Sequence, residues 1–244
     1  GANTFGNVTG DDAITLINSG TILFRNSRTY GTNSSGTYGI TVGSGGGKIS
    51  GGGNQSVNLA HKIVGASGNT LTLGVENGTV LILSNANNSY GGNTDIVANN
   101  GTTGIVRLGA AGVIPDGASA GNVAVGGSTT LDLNGFSETI NGLSGSGGIN
   151  NSSNSAATLT VGGNNQSSTF SGAISNSAGA LSLVKTGTGT LTLSGNSTYS
   201  GATTISAGTL QIGSGGTSGS IGSTSAATND GTLAYNRSDN ITAS

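Results

Sequence analysis

The stretch LVKTGTGTLTLSGNSTYSGATTISAGTLQIG, Leu183 to Gly213, decides how this chain folds. It holds three short alternating runs: Leu191-Thr192-Leu193, Thr203-Thr204-Ile205 and Leu210-Gln211-Ile212. Gly, Ser, Asn or Thr bounds each run, and these residues let the backbone turn sharply. The pattern recurs upstream, so it reads as one turn of a repeating β-structure and not as a catalytic motif. A repeat of short strands with little charged or nucleophilic chemistry is suited to extension more than to reaction.

Composition agrees. The chain has 244 residues, of which 48 are Gly and one is Pro, with no Cys, Met or Trp. Charged residues make up 7%, against about 25% in an average soluble domain. Disorder normally combines low hydrophobicity with high net charge, whereas here hydrophobic residues reach 32% and the net charge is only −2. Gly lacks a three-residue period and Pro is nearly absent, which excludes collagen. Turn signals arrive too often for long silk-like strands. Without Cys there is no disulfide staple, thiolate metal site or thiol redox centre. The seven Lys and Arg are scattered, Arg25 and Arg28 being the only close pair, so no nucleic-acid surface is expected. No apolar run approaches the roughly 18–20 residues of a membrane-spanning helix. The start, Gly1-Ala2-Asn3, lacks the features of a signal peptide, and the expectation is a piece of a longer, processed chain.

Self-similarity then sets the architecture. Gly189-Thr190-Leu191-Thr192-Leu193-Ser194 is followed by Tyr199, Gly201, Thr203 and Ile205. Upstream, Gly78-Thr79-Val80-Leu81-Ile82-Leu83-Ser84 is followed at the same Tyr-to-Ile spacing by Tyr90, Gly92, Thr94 and Ile96. Val106-Arg107-Leu108-Gly109 corresponds to Leu210-Gln211-Ile212-Gly213, and Thr130 to Asn134 corresponds to Thr232 to Asn236. A looser copy runs from Gly20 to Tyr30. With copies starting near 20, 78 and 189 and no linker between them, residues 1–244 read as one continuous domain. The nearest helical candidate, Ser56 to Val64, is short and flanked by Gly. Strands this short bury a face only by stacking coil on coil. The expectation is therefore an all-β, parallel β-solenoid with Ile, Leu and Val inward and Thr, Ser and Asn outward. Coils of roughly 20–25 residues at a rise near 4.8 Å would give about ten to twelve coils over some 50–60 Å.

The residues also carry a family likeness. Phe170-Ser171-Gly172-Ala173-Ile174, Leu183 through Gly195 and Asn196 through Gln211 closely resemble the autotransporter-associated β-strand repeat, also called the passenger-associated transport repeat. Leu131-Asp132-Leu133-Asn134-Gly135 and Thr139 through Gly147 look like the segment that precedes that motif. The likeness is strong over 131–213, fair over 78–109 and weak over 1–60. It implies a right-handed parallel β-helix, a hand that the general bias of parallel crossovers also favours. It further implies export to the surface of a Gram-negative-type bacterium, as an adhesin, biofilm factor or passenger stem. The motif has no catalytic residues to carry over, and the membrane-anchoring β-barrel of such proteins is not found in this sequence.

A search for chemistry returns little. β-Helix enzymes acting on polysaccharides need clustered carboxylates. The acids here are Asp11, Asp12, Glu76, Asp95, Asp116, Asp132, Glu138, Asp230 and Asp239. Only Asp11 and Asp12 adjoin, and neighbours on a strand point to opposite faces. His61 is the single histidine and reads as a surface or turn residue beside Lys62. Gly43 to Lys48 fails as a phosphate loop, because Val42 and Ile49 stand where Gly and Ser or Thr are needed. Neither a cofactor nor a metal site is expected. Tyr30, Tyr90 and Tyr199 recur at matching positions; they are candidate ligand or stacking positions if they face outward, and rung-packing residues if they face inward.

The leading expectation is a non-catalytic extracellular structural protein: a β-solenoid stalk, adhesin or matrix component, polymerising end to end into filaments in one variant. Its partners would be further copies of itself, end to end or side by side, or a host or matrix surface. The alternative is a carbohydrate-binding adhesin using outward Tyr and Asn/Thr ladders to hold glycans. A polysaccharide-active β-helix enzyme stands third.

Overall fold

A computed structural model describes residues 14–30, 39–222 and 227–239. Asp11, Asp12 and the outermost apolar residues Phe5 and Ile241 lie outside them.

Among the described residues every strand pair is parallel, and the chain visits three faces in a fixed order. The central face is a ten-stranded sheet running from Gly20–Phe24 through Gly47–Gly51, Leu71–Val75 and Thr94–Ala98 to Thr209–Ile212 and Thr232–Tyr235. The third face has six strands, from Arg28–Tyr30 to Gly148–Asn150, and continues through single bridges at Ile174 and between Asn196 and Ser220. The first face is split. Four strands end at Ser89–Tyr90, and five resume at Glu138–Ile140 and reach Ala227–Asn229. A first-face strand, a central strand and a third-face strand make one coil, so this is the parallel β-solenoid expected from the repeat. The described residues contain no α-helix, only a short 3₁₀ turn at Asn99–Gly101. Ser56 to Val64 contributes to two strands, Ser56–Leu59 and Lys62–Gly65, because stacking rewards its alternating Val57, Leu59 and Ile63.

The core is a set of vertical columns. On the central face Ile22, Ile49, Leu73, Ile96 and Val125 stand in register. Gly145, Phe170, Leu193 and Ile212 continue that column. On the third face Val57, Leu81, Val106, Leu131, Ile149 and Ile174 do the same. Almost all are buried to within a few per cent, and each such side chain stabilises the stack by roughly 1.5–3 kcal/mol. Strict alternation of buried and partly exposed positions marks Gly104–Leu108 and Ala157–Val161.

Coil length is less regular than the repeat suggested. Hydrogen bonds between adjacent coils span 20 positions at Gly142–Asn122 and 29 at Asn122–Asn93. The long coil contains an excursion, residues 109–122, in place of a first-face strand. Among the described residues ten strands stack on the central face, the lower end of the ten to twelve coils expected, and at about 4.8 Å per step they span about 43 Å.

The two clearest repeat copies occupy different faces. Val80–Leu83 lies on the third face and Thr94–Ala98 on the central one, whereas Thr190–Leu193 is central and Thr203–Ile205 is on the first face. What the copies share is a corner: Tyr90 and Tyr199 each place their hydroxyl on the threonine four residues later.

Candidate functional site at the interrupted face

Residues 109–122 read GAAGVIPDGASAGN. Alternation stops here, the chain's single Pro supplies no N–H, and Gly112 and Gly117 take positive φ of 65° and 84°. No first-face strand forms in this coil. Val113 and Ile114 nevertheless stay in the core, at 0% and 2% exposure, so the interior remains filled there.

Their backbone groups still need partners, and side chains from the coils on either side provide them. The Glu138 carboxylate accepts N–H bonds from Gly112 (2.8 Å), Val113 (3.2 Å) and Ile114 (2.8 Å). From the other side Asn88 donates Nδ2 to the Val113 carbonyl at 2.8 Å, while its Oδ1 accepts from the Ile63 amide at 2.8 Å. Asn141, fully buried, fastens the rest of the excursion. It donates to the carbonyls of Gly117, Ala120 and Gly121 at 2.9, 2.8 and 3.0 Å, and accepts from the Gly117 amide at 2.9 Å.

The result is a recess of about 660 Å³ between the turn at Ser67, the strand end at Tyr90, the excursion and Glu138–Ile140. Serine hydroxyls and the exposed Asp116 line it, with Ile114, Pro115 and Ala120 as apolar patches and no Lys, Arg or His. Burial raises the Glu138 carboxyl to about 7 against the pull of its three N–H donors, and the Asp116 charge adds to the rise. Stacking thus brings Asp116 and Glu138, scattered in sequence, to one recess. Only Asp116 presents an exposed carboxylate there, because both Glu138 oxygens hold backbone amides.

The tyrosines lie elsewhere than an outward stripe requires. Tyr90 and Tyr199 are 1% and 0% exposed, with hydroxyls 2.9 Å from Thr94 Oγ1 and 2.7 Å from Thr203 Oγ1. Burial pushes both hydroxyls above their usual pKa. An aromatic ring gains more by filling a corner of the core than by standing in water, so neither ring offers a stacking face. Tyr30 is half-buried and packs against Phe24 with ring centroids 4.2 Å apart. His61 is half-buried just ahead of Lys62–Gly65.

Other buried polar side chains hold coils together. Asp132, 1% exposed, accepts from Arg107 Nε (2.8 Å), Ser152 Oγ (2.7 Å) and the amides of Ser152 and Asn134. Asn151 bonds the Gly135 amide and the carbonyls of Ser155, Gly179 and Ala180. Lys185 is 1% exposed and donates to the carbonyls of Thr186, Gly187 and Ala207, its pKa lowered by burial. The described residues hold no cluster of three metal-ligating side chains. Glu138, Asn88 and Asn141 escape a reading of the sequence; the available signal is the lapse of alternation over 109–122.

Comparison with known proteins agrees with the repeat. The passenger-associated-transport-repeat family model matches residues 183–212. The adhesin BmaC autotransporter of Brucella suis biovar 1 (strain 1330) is 33% identical over 173 residues. That alignment takes in 66% of this chain and 5% of the BmaC sequence, so the chain spans a small part of that relative's length. No solved structure matches significantly.

Proposed function

Because the chain carries the passenger-associated transport repeat of autotransporters on a parallel β-solenoid, we propose that it works outside a Gram-negative bacterium as an adhesin-type passenger solenoid. It presents binding surface and performs no chemistry of its own. The observation that carries this reading is the use made of the buried polar groups. Glu138, Asn141, Asn151 and Lys185 are engaged with the backbone of their own and neighbouring coils, and Asp132 with Arg107, Ser152 and Asn134. A catalytic acid or base instead needs a proton within reach of substrate. The relationship to an adhesin supports the same view. Filament formation by end-to-end stacking is the finer form of the proposal, resting on the unpaired backbone groups that parallel sheets present at their edges.

The test is display. The chain is fused as passenger to an autotransporter β-barrel, and cells are scored for attachment to host-cell and matrix-coated surfaces. Attachment above that of cells bearing the barrel alone is expected. Equal attachment, or release of reducing ends from polysaccharide by the purified chain, overturns the reading. Electron microscopy of unrefolded protein decides the finer form: filaments support stacking, and isolated rods refute it.

A further inference from the structure

We propose that the recess at the interrupted first face binds a neutral or amino-bearing oligosaccharide, with the Asp116 carboxylate and the serine hydroxyls around it as hydrogen-bonding groups. The inference rests on the adhesin reading and gives it a site.

Three observations carry it. First, the recess lies where the chain departs from its repeat, and Asn88, Glu138 and Asn141 hold that departure in one shape. A site fixed before its ligand arrives loses less entropy on binding. Its volume, about 660 Å³, lies within the range of small-ligand pockets. Second, the lining suits hydroxyl-rich ligands. Ser67, Ser89, Ser119 and Ser137 offer donors and acceptors, Asp116 accepts only, and Pro115 gives an apolar ledge for the C–H face of a ring. With no cation in the lining and the exposed Asp116 carboxylate among its residues, acidic sugars are disfavoured. Third, an extended peptide is poorly served. Strand addition needs free backbone groups, and here the amides of 112–114 are held by Glu138 and the Val113 carbonyl by Asn88. Tyr90 and Tyr199 are inside the coil, whereas the recess is a surface that a ligand can reach.

The experiment uses the full chain on a printed array of neutral, amino and sialylated oligosaccharides, followed by calorimetric titration of the best-bound sugar. Asp116→Ala is compared with Asp230→Ala, an exposed carboxylate far from the recess, and thermal midpoints are recorded for both. Binding of neutral or amino sugars is expected, with about a tenfold or greater loss in Asp116→Ala at an unchanged midpoint and no loss in Asp230→Ala. Preference for sialylated sugars, or wild-type affinity in Asp116→Ala, overturns the proposal. If the purified chain binds no sugar while displayed cells still adhere, this inference falls and the adhesin reading stands. If neither binds, both fall.

Discussion

Glu138→Gln tests most directly how the interrupted face is held. The wild-type carboxyl is 2% exposed and titrates at about 7 in the folded protein, against an ordinary 4.5. Between those two values the folded state keeps a proton that the unfolded chain has released. Stability therefore falls as pH rises through that window and is level above it. The difference corresponds to about 3 kcal/mol between pH 5 and pH 8. Gln has the same shape but cannot ionise, so this slope should vanish. The substitution also replaces one acceptor oxygen by an NH₂ facing backbone donors. At least one of the amides of Gly112, Val113 and Ile114 then loses its partner, at a cost of about 1–3 kcal/mol where it is buried. At pH 5 the variant should be the less stable protein, and by pH 8 the gap should narrow or reverse. Denaturant melts across pH give the slope, and hydrogen exchange at residues 112–114 reports the local opening. Parallel pH profiles for the two proteins would refute the reasoning, as would rapid wild-type exchange at these amides.

Three further outcomes follow from the coil interior. Tyr90→Phe should cost about 1 kcal/mol through loss of the bond to Thr94, and Tyr90→Ala about 3–5 kcal/mol through the cavity; sugar binding lost with no fall in melting temperature would instead place the ring outside. In native protein an amine-acylating reagent should modify Lys48 and Lys62, both partly exposed, and spare Lys185. Peptide mass mapping that finds Lys185 modified at a similar rate would put its ammonium in solvent. Gly92→Ala should destabilise by more than the roughly 1 kcal/mol typical of a point change, because a Cβ there would strike the Asn69 carbonyl of the neighbouring coil; an unchanged thermal midpoint would contradict that stacking.

The columns were legible because alternation is a local property. Leu191 and Leu193, or Val106 and Leu108, announce an inward face whatever lies above and below. The corners were legible as a spacing, Tyr-x-Gly-x-Thr-x-Ile, and the buried tyrosines give that spacing its physical meaning. Glu138 could not be read, since its importance lies 24 to 26 positions away, in the three amides it holds. Asn141 is hidden the same way, being one Asn among many until the carbonyls of Gly117, Ala120 and Gly121 are placed around it. A lapse in alternation says that a strand is missing, but only stacking says which side chains replace it.

The face-shifted repeat explains why the recess is tolerated. The Tyr-to-Thr hydrogen bond closes a corner within four residues and needs nothing from the face on which it falls: Tyr90 leads into a central strand, Tyr199 into a first-face strand. Corners made this way are independent of coil length, so coils of different span stack provided the inward columns continue. At 109–122 Val113 and Ile114 keep the core filled, and Asn88 and Glu138 stand in for the absent ladder. Each coil touches mainly its neighbours, so the departure is absorbed locally while the central sheet runs past it through all ten strands. A solenoid built on these terms can gain a surface recess on one face without altering the stack that carries it.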